Sequence, residues 1–109
     1  MNGQQIQDAV VDAAHLLGYI AFHQRPARTT SGWRSTVEYD GKGFPDLVLA
    51  GGRGVMFLEI KGDGDRIRPD QRKWLDHLNA GEASARIVTS TDWRDGTVDR
   101  LLAQGGRLL

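Results

Sequence analysis

The chain has 109 residues, 39% hydrophobic and 26% charged, which suits one compact globular domain and excludes a disordered chain. It has no cysteine, so disulfide scaffolds and thiolate zinc sites are excluded. Its 14 Lys+Arg balance 14 Asp+Glu, so a nucleic-acid partner would have to meet a local basic face.

The residues before Gly18 are too polar for a signal peptide or spanning helix, so a soluble, cytoplasmic protein without membrane association is expected. Ile6, Val10, Ala13 and Leu17 form one stripe, predicting a helix over Gln4 to Leu17 that Gly18 ends. Tyr19 to Gln24 suits a strand, and Pro26 stops its pairing. Arg28 to Gly32 reads as a polar loop, Trp33 to Tyr39 as a second strand, and Asp40 to Gly43 as a turn. Leu47 to Ala50 and Val55 to Lys61 predict a hairpin about Gly51, Gly52 and Gly54. Beyond a loop at Gly62 to Asp65, Pro69 and Asp70 open a helix with Gln71, Trp74, Leu75 and Leu78 on one face, and Gly81 closes it. Ala85 to Ser90 is a further strand. Thr91 or Asp92 caps a last helix carrying Val98, Leu101 and Leu102. This order predicts an α/β fold over residues 1–109, a central mixed sheet flanked by helices.

The hairpin carries the chemistry. Side chains alternate along a strand, so Phe57, Glu59 and Lys61 share one face and Met56, Leu58 and Ile60 the core face. Pairing Ala50 with Val55 brings Asp46 opposite Glu59, with Cβ atoms about 4.5–5.5 Å apart. The two carboxylates repel, and a metal ion, Lys61 or a raised pKa must offset this. Mg²⁺ or Mn²⁺ suits such oxygen ligands best. A bound cation can generate a nucleophilic water and neutralise a phosphodiester, with Lys61 one pleat from Glu59 to stabilise developing charge. Gln71 is polar on an apolar stripe, and a partner in the same site would explain it.

Basic residues cluster on either side. Arg25, Arg28 and Arg34 flank Trp33; Lys42 lies in the following turn; Arg66, Arg68, Arg72 and Lys73 adjoin the Lys61 loop. All are candidates for DNA phosphate contact, with Trp33 among them. A plain polar loop is the simpler reading of any single arginine, and core packing of Trp74. Taken alone, Asp46 marks a strand entry, and Glu59 and Lys61 a solvated strand face. His15, His23 and His77 have no ligand spacing, and Asp63 and Asp65 are only part of a calcium loop.

In Gly43-Phe44-Pro45-Asp46-Leu47, Phe57-Leu58-Glu59-Ile60-Lys61 and Arg66-Ile67-Arg68-Pro69-Asp70-Gln71, the chain resembles the VRR-NUC family of the PD-(D/E)XK nuclease superfamily. The resemblance implies a restriction-endonuclease-like core. It makes Asp46, Glu59 and the Ile60 carbonyl metal ligands, Lys61 the catalytic lysine and Gln71 a site residue. It also implies a metal-dependent endonuclease on branched or structured DNA, akin to viral Holliday junction-resolving homodimers, working in a bacterial cell or phage-infected host. Leu101, Leu102, Leu108 and Leu109 are one candidate interface. The family's acid near the start of the first helix is replaced by Gln4, Gln5 and Gln7, with Asp8 further on. The alternative is a nuclease-derived DNA-binding module with weak or lost hydrolysis. A structural scaffold leaves the convergence of three charged residues unexplained.

Overall fold

Asn2 starts the first helix through a reciprocal cap. Its Oδ1 accepts from the Gln5 N–H at 2.8 Å, and Gln5 Oε1 accepts from the Asn2 N–H at 2.9 Å. In this computed structural model, which describes residues 1–24, 27–29, 32–34 and 38–106, α1 then spans Gly3–Leu16. Ile6, Val10 and Ala14 are fully buried, with Ala13 packed at their margin. Leu17, expected on that stripe, is the C-cap and partly open, because Gly18 at φ +85° turns the chain away.

Tyr19 belongs to the core and not to a strand. Its hydroxyl donates to Leu102 O at 2.6 Å, and β1 begins one residue later, at Ile20–Phe22. The expected loop from Arg28 to Gly32 is in part strand: β2 (Ala27–Thr29) pairs antiparallel with β3 (Gly32–Arg34). Thr and Trp favour a pleated ladder, a preference that the polarity of the segment masked. The strand expected to reach Tyr39 does not, because Tyr39 sits in a turn at φ +57°, a conformation foreign to strands.

β4 (Leu47–Gly51) and β5 (Gly54–Lys61) pair in the predicted register, Ala50 opposite Val55 and Leu47 opposite Leu58. α2 (Pro69–Ala80) opens on Pro69 and has Gly81 as its C-cap, but Glu82 takes the left-handed conformation, at φ +68°. β6 (Ser84–Thr89) runs parallel to β5. The expected last helix is two. α3 (Ser90–Arg94) is capped by Thr89 and not by Thr91 or Asp92, which lie inside it; α4 is Thr97–Ala103. Gly96, at φ +83°, breaks the path between them.

The main sheet runs β1-β4-β5-β6 and is mixed, parallel only at β5–β6. Met56, Leu58 and Ile60 point into a core shared with α1, α4 and β4. α2 lies across the opposite face, where Gln71 meets Glu59. Leu101 and Leu102, expected at a subunit interface, are 1% and 0% exposed within the core, which removes them from any such surface; Leu108 and Leu109 lie outside the described residues. The open apolar side chains include Ile20, Phe22 and Val55. Ile20 and Val55 both pair with Ala50, and Phe22 pairs with Val48, so all three share the outer sheet face. No helix among the described residues is long and apolar enough to cross a membrane.

Candidate active site

The segment before β4 delivers Asp46 to the end of the hairpin. Gly43 sits at φ +90°, and a Cβ there would lie 2.6 Å from the backbone C and O of Asp70. Only glycine permits that approach, which seats the segment against the first turn of α2. Phe44 then packs edge-on against Trp74 and Phe57, with ring centroids at 5.0 and 6.0 Å. Pro45 is buried. Asp46 lies one residue before the ladder begins, and its Oδ2 accepts the Ile60 N–H at 2.9 Å. Its carbonyl accepts from His23 Nδ1 at 2.6 Å, so the end of β1 also holds Asp46 in place.

Glu59 is 1% exposed. Its Oε1 accepts from Gln71 Nε2 at 3.0 Å and lies 3.7 Å from Lys61 Nζ. Lys61 Nζ donates to Gln71 Oε1 at 2.8 Å, and the Arg68 N–H donates to the same oxygen at 2.9 Å. The Gln71 amide therefore has one workable orientation: oxygen to two donors, nitrogen to the carboxylate. It bridges the two charged residues of β5 and closes the first turn of α2. Glu59 Oε2 is buried without a hydrogen-bond partner. Burial, then a hydrogen bond to Asp46 and the Asp46 charge, push the Glu59 carboxyl from 4.5 up to about 8, against the opposing pull of Lys61 and Arg68. A shared proton relieves the pair; with both carboxyls ionised neither can donate, and Oε2 is left alone.

Asp46, Glu59, Lys61 and Gln71 thus converge as the sequence predicted. His23 was passed over, and no local signal reveals it, because its partner is a backbone carbonyl 23 residues on. Arg68 lies near enough to lower the Glu59 pKa, while its Nε is 3.2 Å from Asp70 Oδ1. Arg66 and Arg72 are exposed, and Lys42 and Lys73 line a cleft beside α2. Arg25 lies outside the described residues. Arg28, Trp33 and Arg34 stand on the β2–β3 hairpin, Arg28 opposite Trp33, and their side chains lie outside the description.

Asp8 is on α1, where its Oδ1 accepts from Gln4 Nε2 at 2.8 Å. Both line a polar cleft of about 590 Å³ that reaches His23 and Leu47, the flanks of Asp46. Among the described residues no three or more His, Cys, Asp or Glu side chains cluster, so Asp8 does not join Asp46 and Glu59 in one group.

Residues 3–92 match the VRR-NUC domain family. Two solved structures with this domain share the fold. One, a "VRR_NUC domain", has a TM-score of 0.63 and 21% identity over 93% of this chain and 94% of its own. The other, a "VRR_NUC domain protein", has a TM-score of 0.67 and 19% identity over 100% of this chain and 98% of its own. Hjc of Archaeoglobus fulgidus, a Holliday junction resolvase from an archaeal hyperthermophile, follows at 0.50 and 18% identity, over 79% of this chain and 65% of its own. No curated protein matches the chain. At these identities the structural likeness establishes the fold: the four-stranded mixed sheet with flanking helices is that of a junction-resolvase-like nuclease.

Proposed function

We propose that this chain, which belongs to the VRR-NUC family, is a divalent-metal-dependent endonuclease that hydrolyses DNA phosphodiester bonds, on branched or structured DNA. One observation carries the reading: on an otherwise apolar hairpin end, Gln71 bridges Glu59 and Lys61 at hydrogen-bond distance, and the Ile60 N–H holds the carboxylate of Asp46 beside them. We read residues 1–109 as one such domain and place its work in the cytoplasm of a bacterial or phage-infected cell, where the DNA is.

The donor set fits a hard cation. Glu59 Oε2 is a buried oxygen without a hydrogen-bond partner, and burial and the neighbouring Asp46 carboxyl raise the Glu59 pKa, a strain that a bound cation would relieve. Asp46, Glu59 and the Ile60 carbonyl would hold Mg²⁺ or Mn²⁺, which when bound supplies charge neutralisation at the phosphate and a more acidic water. The chain's own residues do the rest. The backbone of β5 fixes Asp46, and Gln71 fixes both Glu59 and Lys61. Lys61 Nζ has three donors, and one goes to Gln71. The others can orient a water or meet charge developing on the phosphate. Arg66, Arg68, Arg72, Lys42 and Lys73 are exposed and suit backbone contacts to DNA, as do Arg25, Arg28, Arg34 and Trp33 by sequence.

The first turn of α1 holds no acid, which favours the second reading, a DNA-binding module with weak or lost hydrolysis. Incubation of the protein with Mg²⁺ or Mn²⁺ on linear, flap and four-way DNA separates the two. Cleavage that depends on the cation supports the nuclease; binding without cleavage supports the module. Calorimetry with Mn²⁺ tests the ligands. Asp46→Asn and Glu59→Gln should each weaken binding by about tenfold or more, since even supporting residues of a metal site cost that much. Unchanged affinity in both variants removes the assignment.

Cutting two strands of a junction in matching positions needs two sites related by a twofold axis, and closed dimers are the commonest solution. The outer sheet face, with Ile20, Phe22 and Val55 open, is the surface we assign to that contact. Light scattering should return about twice the 12.0 kDa chain mass. A monomer that cuts both strands of a four-way junction symmetrically contradicts the dimer.

A further inference from the structure

Tyr39 is 99% exposed and sits at φ +57°. A bulky side chain in the left-handed region is strained, and a ring that buries nothing does not repay that strain in stability. Such outliers point to use. Tyr39 stands at the mouth of a cleft of about 540 Å³, shared with Trp74 on α2. The Trp74 ring is rigid: its indole N–H donates to Asp40 O at 2.8 Å, and Phe44 packs edge-on against it at 5.0 Å. Lys42 and Lys73 line the same cleft. One fixed aromatic wall, one free ring and two cations match the two parts of a nucleotide: a base to stack and a phosphate to neutralise. A base pair within continuous duplex keeps its faces stacked on its neighbours and cannot present one to a side wall, so the occupant must be unpaired.

The lining also holds two acids, Asp40 and Asp70. Arg68 Nε approaches Asp70 at 3.2 Å and offsets its charge. Asp40 directs a phosphate away from its own side, towards Lys42 and Lys73, and its carboxylate suits a base amino group instead. The cleft lies beside the site already described. Asp70 lines it, Gln71 next in sequence touches Glu59, and Gly43 packs on Asp70 on the way to Asp46.

We propose that the cleft between Tyr39 and Trp74 is a subsite for an unpaired nucleotide of the strand being cut. The substrate class is then DNA with single-stranded nucleotides beside the scissile bond, not unbroken duplex. That it is the cut strand rests on the nuclease reading; that an unpaired base binds here does not.

The test is metal-free binding, in chelator, to a duplex with a short flap and to the same duplex without one. The flap carries a fluorescent adenine analogue whose emission is quenched by stacking. Wild type should prefer the flap and quench the analogue. Tyr39→Ala and Tyr39→Gly should abolish the quench and weaken flap binding by about five- to a hundredfold, the usual loss for one base–aromatic stack, with duplex affinity unchanged. Tyr39→Gly should also raise the melting temperature, because glycine releases the backbone strain. That separates a binding role from a structural one. Unchanged flap affinity and quenching in both variants, or no flap preference in wild type, overturns the subsite. The nuclease reading is judged apart from this, by metal-dependent cleavage with wild type.

Discussion

Lys61→Ala should slow single-turnover cleavage on the order of 10²–10³-fold while leaving DNA affinity nearly unchanged, the loss expected for one preorganised charge-stabilising group. The expectation follows from where the ammonium is held. Its side chain is 12% exposed, so water screens it little, and Gln71 fixes it at 2.8 Å. A surface lysine tracking the phosphate backbone would be mobile and solvated, and its loss would fall on affinity. The variant also removes a cation that lowers the Glu59 pKa and would repel a bound metal ion, so its cation affinity should differ from that of wild type. Rates are therefore to be compared at saturating Mn²⁺, where that indirect effect disappears. Lys61→Arg should not rescue, because a planar guanidinium cannot reproduce the compact ammonium held between Glu59 and Gln71. An equal loss of affinity with an unchanged single-turnover rate would make Lys61 a phosphate anchor.

What could be read from the sequence was what local patterning encodes. The hairpin is two apolar runs about a glycine-rich turn, so its register, and with it the meeting of Asp46 and Glu59, followed from counting. Gln71 stood out because a polar residue on a buried stripe needs a partner, and the partner is Glu59. Contacts between distant segments left no such trace. His23 reaches a carbonyl, which any residue at position 46 would offer. The glycine of the Gly43-Phe44-Pro45-Asp46 segment was visible, but its reason, the Asp70 backbone 2.6 Å from where a Cβ would be, exists only once α2 is docked. The two final helices were read as one because a helical stripe continues through Val98, Leu101 and Leu102, and the left-handed Gly96 is decided by tertiary packing. The hairpin of β2 and β3 was hidden by its polarity, which outweighed the strand preference of Thr and Trp.

The second large effect concerns Glu59 and pH. Its carboxyl ionises near 4.5 in the unfolded chain and at about 8 in the fold, so the folded state holds the proton more tightly. A carboxyl raised in this way lends full stability below the unfolded pKa and loses it as pH climbs through the folded one. Metal-free protein should therefore become less stable between about pH 5 and pH 8, by a few kcal/mol, at roughly 1.4 kcal/mol for each unit of difference. Glu59→Gln has no proton to lose and keeps a carbonyl oxygen for Gln71 Nε2. Its stability should exceed that of wild type at pH 8, with the gap closing by pH 5. The difference between the two proteins isolates Glu59 from everything else that titrates in the window. The groups with lowered pKa, Asp63, Asp70 and Asp95, release their stability only on the acid side and do not enter. Denaturant melts in chelator at several pH values measure the gap. A constant gap from pH 5 to pH 8 would mean that Glu59 is already ionised at the low end and that its burial is offset without a proton. Repeating the series in Mn²⁺ should reverse the sign at pH 8, because a cation that needs the ionised carboxylate stabilises wild type and not the variant. Were the variant to gain as much from Mn²⁺ as wild type, Glu59 would not be a ligand, whatever its pKa.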